Sequence, residues 1–118
     1  MDIVYIRELR ADTIIGVYDW ERTVRQTVVM DLELATDNRR AAASDQIADA
    51  LDYATLSDRV LAFIEGSEFQ LIETMAEQVA ALVMAEFAVP WLRLRLAKPG
   101  AVARARDVGI VIERGERP

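Results

Sequence analysis

The sequence predicts an α+β domain in which two helices lie on one face of an antiparallel β-sheet. Alternation of apolar and polar residues with period two dominates the start of the chain and returns near its end. Between these blocks, apolar residues recur with the helical period in two segments. The resulting order is β-β-α-α-β-β, and 118 residues suffice for a single domain, residues 1–118, with a modest core.

The first part of the chain is predicted to form strands. Two short runs, 3–6 and 13–17, are rich in β-branched residues, and residues 27–35 alternate in the way expected for a long strand with one wet face. The loop 18–23 is polar but contains two aromatic residues. An exposed Trp20 in such a loop is costly unless it packs against or binds something.

Residues 37–53 lack clean periodicity and are predicted to form an irregular loop. A helix follows, for which Thr55 is the predicted N-cap, with Asp58 three residues later as its capping-box partner. Gly66 is the predicted end of this helix.

The second helix is predicted from a longer apolar stripe. Ser67, with Gln70 three residues later, is the predicted capping signal, and Pro90 prevents continuation. The stripe consists of Leu71, Met75, Val79, Leu82, Val83 and Phe87.

The chain ends in two predicted strands, 91–98 and 108–113. In the first, the leucines alternate onto one face of the strand. Trp91 and the arginines alternate onto the opposite face, which is predicted to face solvent. A single sheet leaves two edges open, and a ring of copies that closes into a barrel would cover them.

Composition excludes several classes of function. The net charge of −6 argues against general nucleic-acid binding, and no apolar run reaches the roughly 18 residues of a membrane span. The N-terminus does not resemble a secretory signal, so we expect a cytoplasmic protein. The absence of His and Cys removes catalytic triads, thiolate chemistry and nearly all zinc sites. An all-carboxylate Mg²⁺ or Ca²⁺ site stays open, but the chain has no EF-hand or Walker pattern, so we expect no metal site.

Charge is distributed unevenly along the chain. Residues 1–90 contain 7 basic and 17 acidic side chains, whereas residues 91–118 contain 7 basic and 3 acidic ones. The two regions either complement each other across a subunit contact or form two ordinary solvated faces.

Lys98 is the single lysine among fourteen basic residues. It has the parity of the buried leucines and lies where Pro99 and Gly100 stop the strand, so its amine is predicted to be partly desolvated and able to exchange a proton near neutral pH. The alternatives are a genome that prefers Arg and a lysine whose ammonium reaches water along its flexible stem.

Three further residues are candidates for a site. Glu21 lies in the aromatic loop, Tyr53 ends the irregular segment, and Glu73 lies near the start of the long helix. Each also has an ordinary explanation: a solvated carboxylate for Glu21, a half-buried aromatic for Tyr53, and for Glu73 a charge stabilised by the helix dipole.

Together, these residues and their neighbours resemble the dihydroneopterin aldolases of folate biosynthesis over essentially the whole chain. Each motif is short, but their joint order and spacing are specific. The motifs that carry the resemblance are Ile15-Gly16-Val17-Tyr18-Asp19-Trp20-Glu21, Asp37-Asn38-Arg39-Arg40-Ala41, Leu51-Asp52-Tyr53, Leu71-Ile72-Glu73, Lys98-Pro99-Gly100-Ala101 and Val108-Gly109-Ile110-Val111-Ile112-Glu113-Arg114.

The resemblance implies the tunnelling fold, in which four copies form a sixteen-stranded barrel and two barrels stack as an octamer. It implies that Glu73 anchors the pterin and that the backbone of Ile72 contacts the ring. It also implies that Tyr53 comes from the adjacent subunit, that Lys98 is the catalytic acid/base, and that Glu21 lies near Lys98 and the substrate hydroxyls.

The implied reaction needs no cofactor, metal or Schiff base, because the pterin ring itself takes up the electrons released by cleavage of the C1′–C2′ bond. A side 2′-epimerase activity is compatible with this chemistry. A dedicated epimerase of dihydroneopterin or its triphosphate is the first alternative, for which Arg104 and Arg106 are candidate phosphate contacts. A non-catalytic pterin- or purine-binding oligomer is the second. Asp52 is assigned no role.

Overall fold

A computed structural model describes residues 1–118 and contains one four-stranded antiparallel sheet whose strands neighbour one another in chain order. Two long helices pack on one face of the sheet, which confirms the predicted fold class. None of the helices combines the length and apolarity that a membrane span requires. The elements are β1 (Asp2–Thr13), β2 (Gln26–Thr36), α1 (Arg39–Ser44), α2 (Tyr53–Glu65), α3 (Ile72–Phe87), β3 (Trp91–Pro99) and β4 (Asp107–Gly115).

The core lies between the sheet and the helices. Leucines of β2 and β3 point into it, as the alternation predicted, because one face of each strand is removed from water. The fully buried side chains of the core include Leu32, Leu34, Leu92, Leu94 and Leu96 from the strands and Leu56, Val60, Ile64, Met75, Val79 and Val83 from the helices.

The other face of the sheet carries charged side chains, and several of them are paired within the chain. Arg93 lies 3.6 Å from Glu33, and Arg95 lies 3.6 Å from Asp31. At the edge of the helical layer, Arg114 of β4 forms an ion pair with Glu77 of α3. Much of the basic C-terminal region therefore neutralises the acidic N-terminal region within one molecule.

The first strand differs from the prediction. The two expected runs, 3–6 and 13–17, are replaced by one continuous β1, which ends at Thr13 and contains a bulge between Ile6 and Leu9. At the bulge, Glu8 adopts a φ of 57° and its N–H donates to the Asp31 carboxylate at 2.7 Å. A bulge shifts the alternation of the strand, and this explains why a single strand did not show one regular pattern.

The start of α2 corrects another prediction. Asp52 is the N-cap, because its carboxylate accepts hydrogen bonds from the backbone N–H (3.1 Å) and the hydroxyl (2.8 Å) of Thr55. Thr55 is therefore the donor in the cap rather than the cap itself. The preceding segment is also more ordered than predicted, because it contains α1 and a 3₁₀ turn, Ile47–Asp49.

The long helix begins later than predicted. Ser67 does not cap it; the Ser67 hydroxyl donates instead to the carbonyl of Ile64 at the end of α2. The N-cap of α3 is Leu71, an exposed residue whose side chain makes no capping bond, so the first N–H groups of α3 have no side-chain acceptor. Gly66 ends α2 as predicted.

Trp91 was predicted on the wet face of β3 but is only 4% exposed. The guanidinium of Arg117 lies 4.3 Å from the centre of its ring, a cation–π contact from the C-terminal tail that covers the indole. Because the tail lies far from Trp91 in sequence, the local alternation gave no sign of this contact.

Candidate active site

Lys98 and Glu21 form a nearly buried ion pair at the end of β3. The Lys98 ammonium donates to Glu21 Oε2, and the two side chains are 14% and 5% exposed. Glu21 lies in a 3₁₀ turn, Asp19–Arg22, within the predicted aromatic loop. The parity of β3 therefore brings the single lysine into contact with a carboxylate that is 77 positions away in sequence.

The Glu21 carboxylate is held by further hydrogen bonds. Its Oε1 accepts from the backbone N–H of Tyr18 at 3.2 Å, and its Oε2 accepts from the Gln26 side chain at 3.0 Å. Gln26 also donates to the carbonyl of Ile15 at 2.7 Å. The carboxylate is thereby fixed in position before any ligand binds, which favours electrostatic preorganisation.

Gln26 belongs to the candidate site, although its sequence context did not predict this. It is the first residue of β2, where a polar side chain is unremarkable, and no motif drew attention to it. Gly16 is the sequence feature that could have indicated the tightly held carboxylate. It has a φ of 125°, and a Cβ at this position would overlap the Glu21 carboxylate, so only glycine leaves room for that group.

The ion pair determines the charge state of Glu21. The hydrogen bond from Lys98 is the main cause that lowers the pKa of Glu21 from its usual 4.5 to about 2, and it outweighs the opposing effect of burial. Glu21 is therefore ionised at neutral pH, and Lys98 faces a full negative charge.

This pKa predicts an acid-sensitive contribution to stability. The unfolded chain takes up a proton at Glu21 at a higher pH than the folded chain does, so the contribution is complete above about pH 4.5 and is lost as the pH falls through about 2. Urea unfolding at several pH values within this window should show a smaller pH dependence for Glu21→Gln than for the unmodified protein. Identical pH dependences would contradict the assignment.

Ile72 and Glu73 lie at the same end of the molecule as this pair. They form the first turn of α3, which leads into β3 at its other end, so the start of α3 lies near the end of β3. The two parts are also connected directly, because the Gly16 N–H donates to the carbonyl of Phe69 at 3.4 Å. Glu73 is exposed beside the uncapped N–H groups of α3.

Tyr53 is not part of this group within one chain. It begins α2, whose opposite end lies beside the end of β1, from which the chain continues into the Glu21 loop, since the Thr13 hydroxyl donates to the Ile64 carbonyl at 2.7 Å. Thirteen helical residues separate the ends by about 20 Å. Tyr53 is 60% exposed, and a cavity of about 630 Å³ lined partly by Leu51 and Phe87 also lies at that distant end.

The chain is similar to dihydroneopterin aldolases in sequence and in structure. The family model for dihydroneopterin aldolase (FolB) matches residues 4–113. Dihydroneopterin aldolase from Escherichia coli K12 is 55% identical over 98% of this chain and 94% of its own length. The Haemophilus influenzae dihydroneopterin aldolase is 44% identical over 98% of both chains. The crystal structure of the E. coli enzyme in complex with neopterin superposes with a TM-score of 0.95, at 55% identity, covering 98% of this chain and all of that one.

Proposed function

Because the chain belongs to the dihydroneopterin aldolase family, we propose that it cleaves 7,8-dihydroneopterin into 6-hydroxymethyl-7,8-dihydropterin and glycolaldehyde. The observation that carries this proposal is the buried Lys98–Glu21 pair, which lies at the same end of the fold as the exposed Glu73. A proton-exchanging amine, a fixed carboxylate and an anchoring carboxylate are the groups that this reaction requires.

The reaction is a retroaldol cleavage driven by the substrate's own ring. Removal of the 2′-hydroxyl proton forms the carbonyl of glycolaldehyde as the C1′–C2′ bond breaks. The bonding pair moves from C1′ into the conjugated N5=C6 imine, and N5 takes up a proton. C1′ is then protonated and N5 loses its proton, which restores the imine in the product.

Lys98 is the proposed acid/base on the N5 side, acting through water. Its amine is mostly buried, and such placement makes proton transfer effective, by about 10²–10⁴-fold for a well-placed group. Glu21 holds the ammonium and the substrate hydroxyls in place. Its rigid support by Tyr18 and Gln26 means that the carboxylate need not reorganise during the reaction.

Glu73 is the proposed anchor of the pterin. A carboxylate can accept two parallel hydrogen bonds, here from N3–H and the 2-amino group, in the way that it accepts them from Arg. The uncapped start of α3 supports this role, because backbone N–H groups near Ile72 are available to the ring. Substrate binding is thereby assigned to α3, and proton transfer to the end of β3.

Tyr53 is proposed to act in the site of a neighbouring subunit, where it assists the protonation of C1′. Its position at the far end of α2, with an exposed ring, supports delivery to another copy. The two outer strands, β1 and β4, have no partner on one side within the chain. A ring of four copies would close these edges into a barrel, and two stacked rings would give an octamer.

Mixing of two inactive variants tests the shared site. Lys98→Ala and Tyr53→Phe each remove one contribution, so each homo-oligomer should form little 6-hydroxymethyl-7,8-dihydropterin. If the subunits are unfolded together and refolded as a mixture, about a quarter of the sites should receive both intact contributions, and product formation should recover accordingly.

Recovery should be absent when the same variants are refolded separately and then combined without exchange. A double variant, Lys98→Ala with Tyr53→Phe in one chain, mixed with the unmodified chain serves as the control for refolding yield. Failure of the Lys98→Ala and Tyr53→Phe mixture to recover, while the control refolds normally, would contradict a site built from two subunits.

Product analysis tests the function itself. Purified protein incubated with 7,8-dihydroneopterin should release glycolaldehyde and 6-hydroxymethyl-7,8-dihydropterin in equal amounts. Formation of monapterin without glycolaldehyde would instead indicate a dedicated 2′-epimerase, and tight binding without either product would indicate a binding module.

A further inference from the structure

Arg22 connects the two halves of the candidate site. Its guanidinium donates to the carbonyl of Gly16 at 2.8 Å and to the carbonyls of Phe69 at 3.1 Å and Glu68 at 2.5 Å. Gly16 belongs to the loop that holds Glu21, whereas Glu68 and Phe69 belong to the segment that leads into α3. One side chain therefore joins the loop of the acid/base pair to the segment that carries the pterin anchor.

The three hydrogen bonds of Arg22 indicate that it fixes the spacing of two segments rather than making an incidental surface contact. All three acceptors are backbone carbonyls, so the planar guanidinium fixes main-chain positions on both sides. Apart from the weak Gly16–Phe69 hydrogen bond of 3.4 Å, no other backbone hydrogen bond joins these two segments. Arg22 also follows Glu21 directly, so any movement of its backbone displaces that carboxylate.

We propose that Arg22 is a positioning residue that sets the separation between the Lys98–Glu21 pair and Glu73. This inference rests on the proposed function, because the separation matters only if one ligand contacts both groups. The pterin ring held at α3 then presents N5 and the side chain to Lys98 at the correct distance. Misplacement of reacting groups by about 1 Å can reduce a rate by about 10²-fold.

The chain offers a matched control in Arg25. Its guanidinium also donates to two backbone carbonyls, those of Asp12 and Glu65, each at 3.2 Å. These bonds join the end of β1 to the end of α2 and do not reach the segment before α3. Loss of Arg25 therefore removes a comparable clamp that does not span the two halves of the site.

The test compares Arg22→Ala, Arg22→Lys, Arg25→Ala and Arg25→Lys with the unmodified protein. Steady-state kinetics with 7,8-dihydroneopterin, the Kd of neopterin and the melting temperature are measured for each. We expect Arg22→Ala to lower kcat/KM by about 10- to 100-fold, mainly through kcat, with Arg22→Lys between it and the unmodified protein. Both Arg25 variants should stay within about threefold of the unmodified protein, although their melting temperatures fall similarly.

Equal kcat/KM values for the Arg22 and Arg25 variants would overturn the proposal, as would a loss that appears only as a raised Kd for neopterin. If Arg22→Ala does not fold, the comparison of Arg22→Lys with Arg25→Lys decides in the same way. If the unmodified protein cleaves 7,8-dihydroneopterin and the Arg22 variants cleave it equally well, only this inference is rejected. If the unmodified protein releases no glycolaldehyde, the proposed function and this inference are both rejected.

Discussion

Lys98→Ala is expected to lower kcat for cleavage of 7,8-dihydroneopterin by about 10²–10⁴-fold while the Kd of neopterin changes little. The amine is the group proposed to exchange protons with N5, whereas Glu73 is the proposed anchor of the pterin ring. Single-turnover kinetics and a fluorescence titration with neopterin separate the two quantities. The change also leaves the buried Glu21 without its main hydrogen-bond donor, so the pKa of Glu21 should rise and the protein should lose some stability.

Lys98→Arg is the control that separates charge from proton exchange. Arginine retains a cation beside Glu21, but it stays protonated at any usable pH and cannot act as a base. We therefore expect this variant to fold and bind neopterin, yet to remain nearly as impaired as Lys98→Ala. A kcat for Lys98→Arg within about tenfold of the unmodified protein would show that electrostatic stabilisation is sufficient and that Lys98 is not the acid/base.

Glu73→Gln is expected to raise the Kd of neopterin by about 10- to 150-fold, since a hydrogen bond to a charged group contributes about 1.5–3 kcal/mol. The amide has nearly the same shape as the carboxylate, but it can no longer accept two parallel N–H bonds. Once the variant is saturated with substrate, kcat should fall much less than in the Lys98 variants. Isothermal titration with neopterin and initial rates at saturating substrate give both quantities.

Glu77→Gln is the matched control for this change. Glu77 lies one helical turn further along α3 and forms an ion pair with Arg114 at the surface, so it shares the helix but not the site. The Kd of the Glu77→Gln variant for neopterin should equal that of the unmodified protein. Equal increases in Kd for Glu73→Gln and Glu77→Gln would show that the helix as a whole was disturbed, and would remove Glu73 as the anchor.

Periodicity predicted most of the fold because most of the chain obeys local rules. The leucines of β3, the apolar stripes of α2 and α3, and the terminating Gly66 follow from patterns only a few residues long. The failures occur where a distant residue decides the local structure. In the bulge of β1, Glu8 contacts Asp31, 23 positions away, and the Trp91 ring is contacted by Arg117 of the C-terminal tail.

Only part of the candidate site could be predicted from the sequence, for the same reason. Strand parity placed Lys98 beside the core, and the aromatic loop supplied Glu21 as a candidate that the structure brings into contact with Lys98. Gln26 and Arg22 escaped notice because their partners include backbone carbonyls and a buried carboxylate, which leave no pattern in sequence. For Arg22, the acceptor at Phe69 lies 47 positions away. Tyr53 lies far from the Lys98–Glu21 pair because α2 separates them. Within a single chain, the Tyr53 side chain therefore cannot reach the pair.

Release of glycolaldehyde from 7,8-dihydroneopterin by the unmodified protein and by Lys98→Arg, measured side by side, tests the central claim most directly. We expect equal amounts of glycolaldehyde and 6-hydroxymethyl-7,8-dihydropterin from the unmodified protein. The variant should bind neopterin with similar affinity and be slower by about 10²-fold or more. Comparable release by both proteins, or a bound pterin with no release by either, would contradict it.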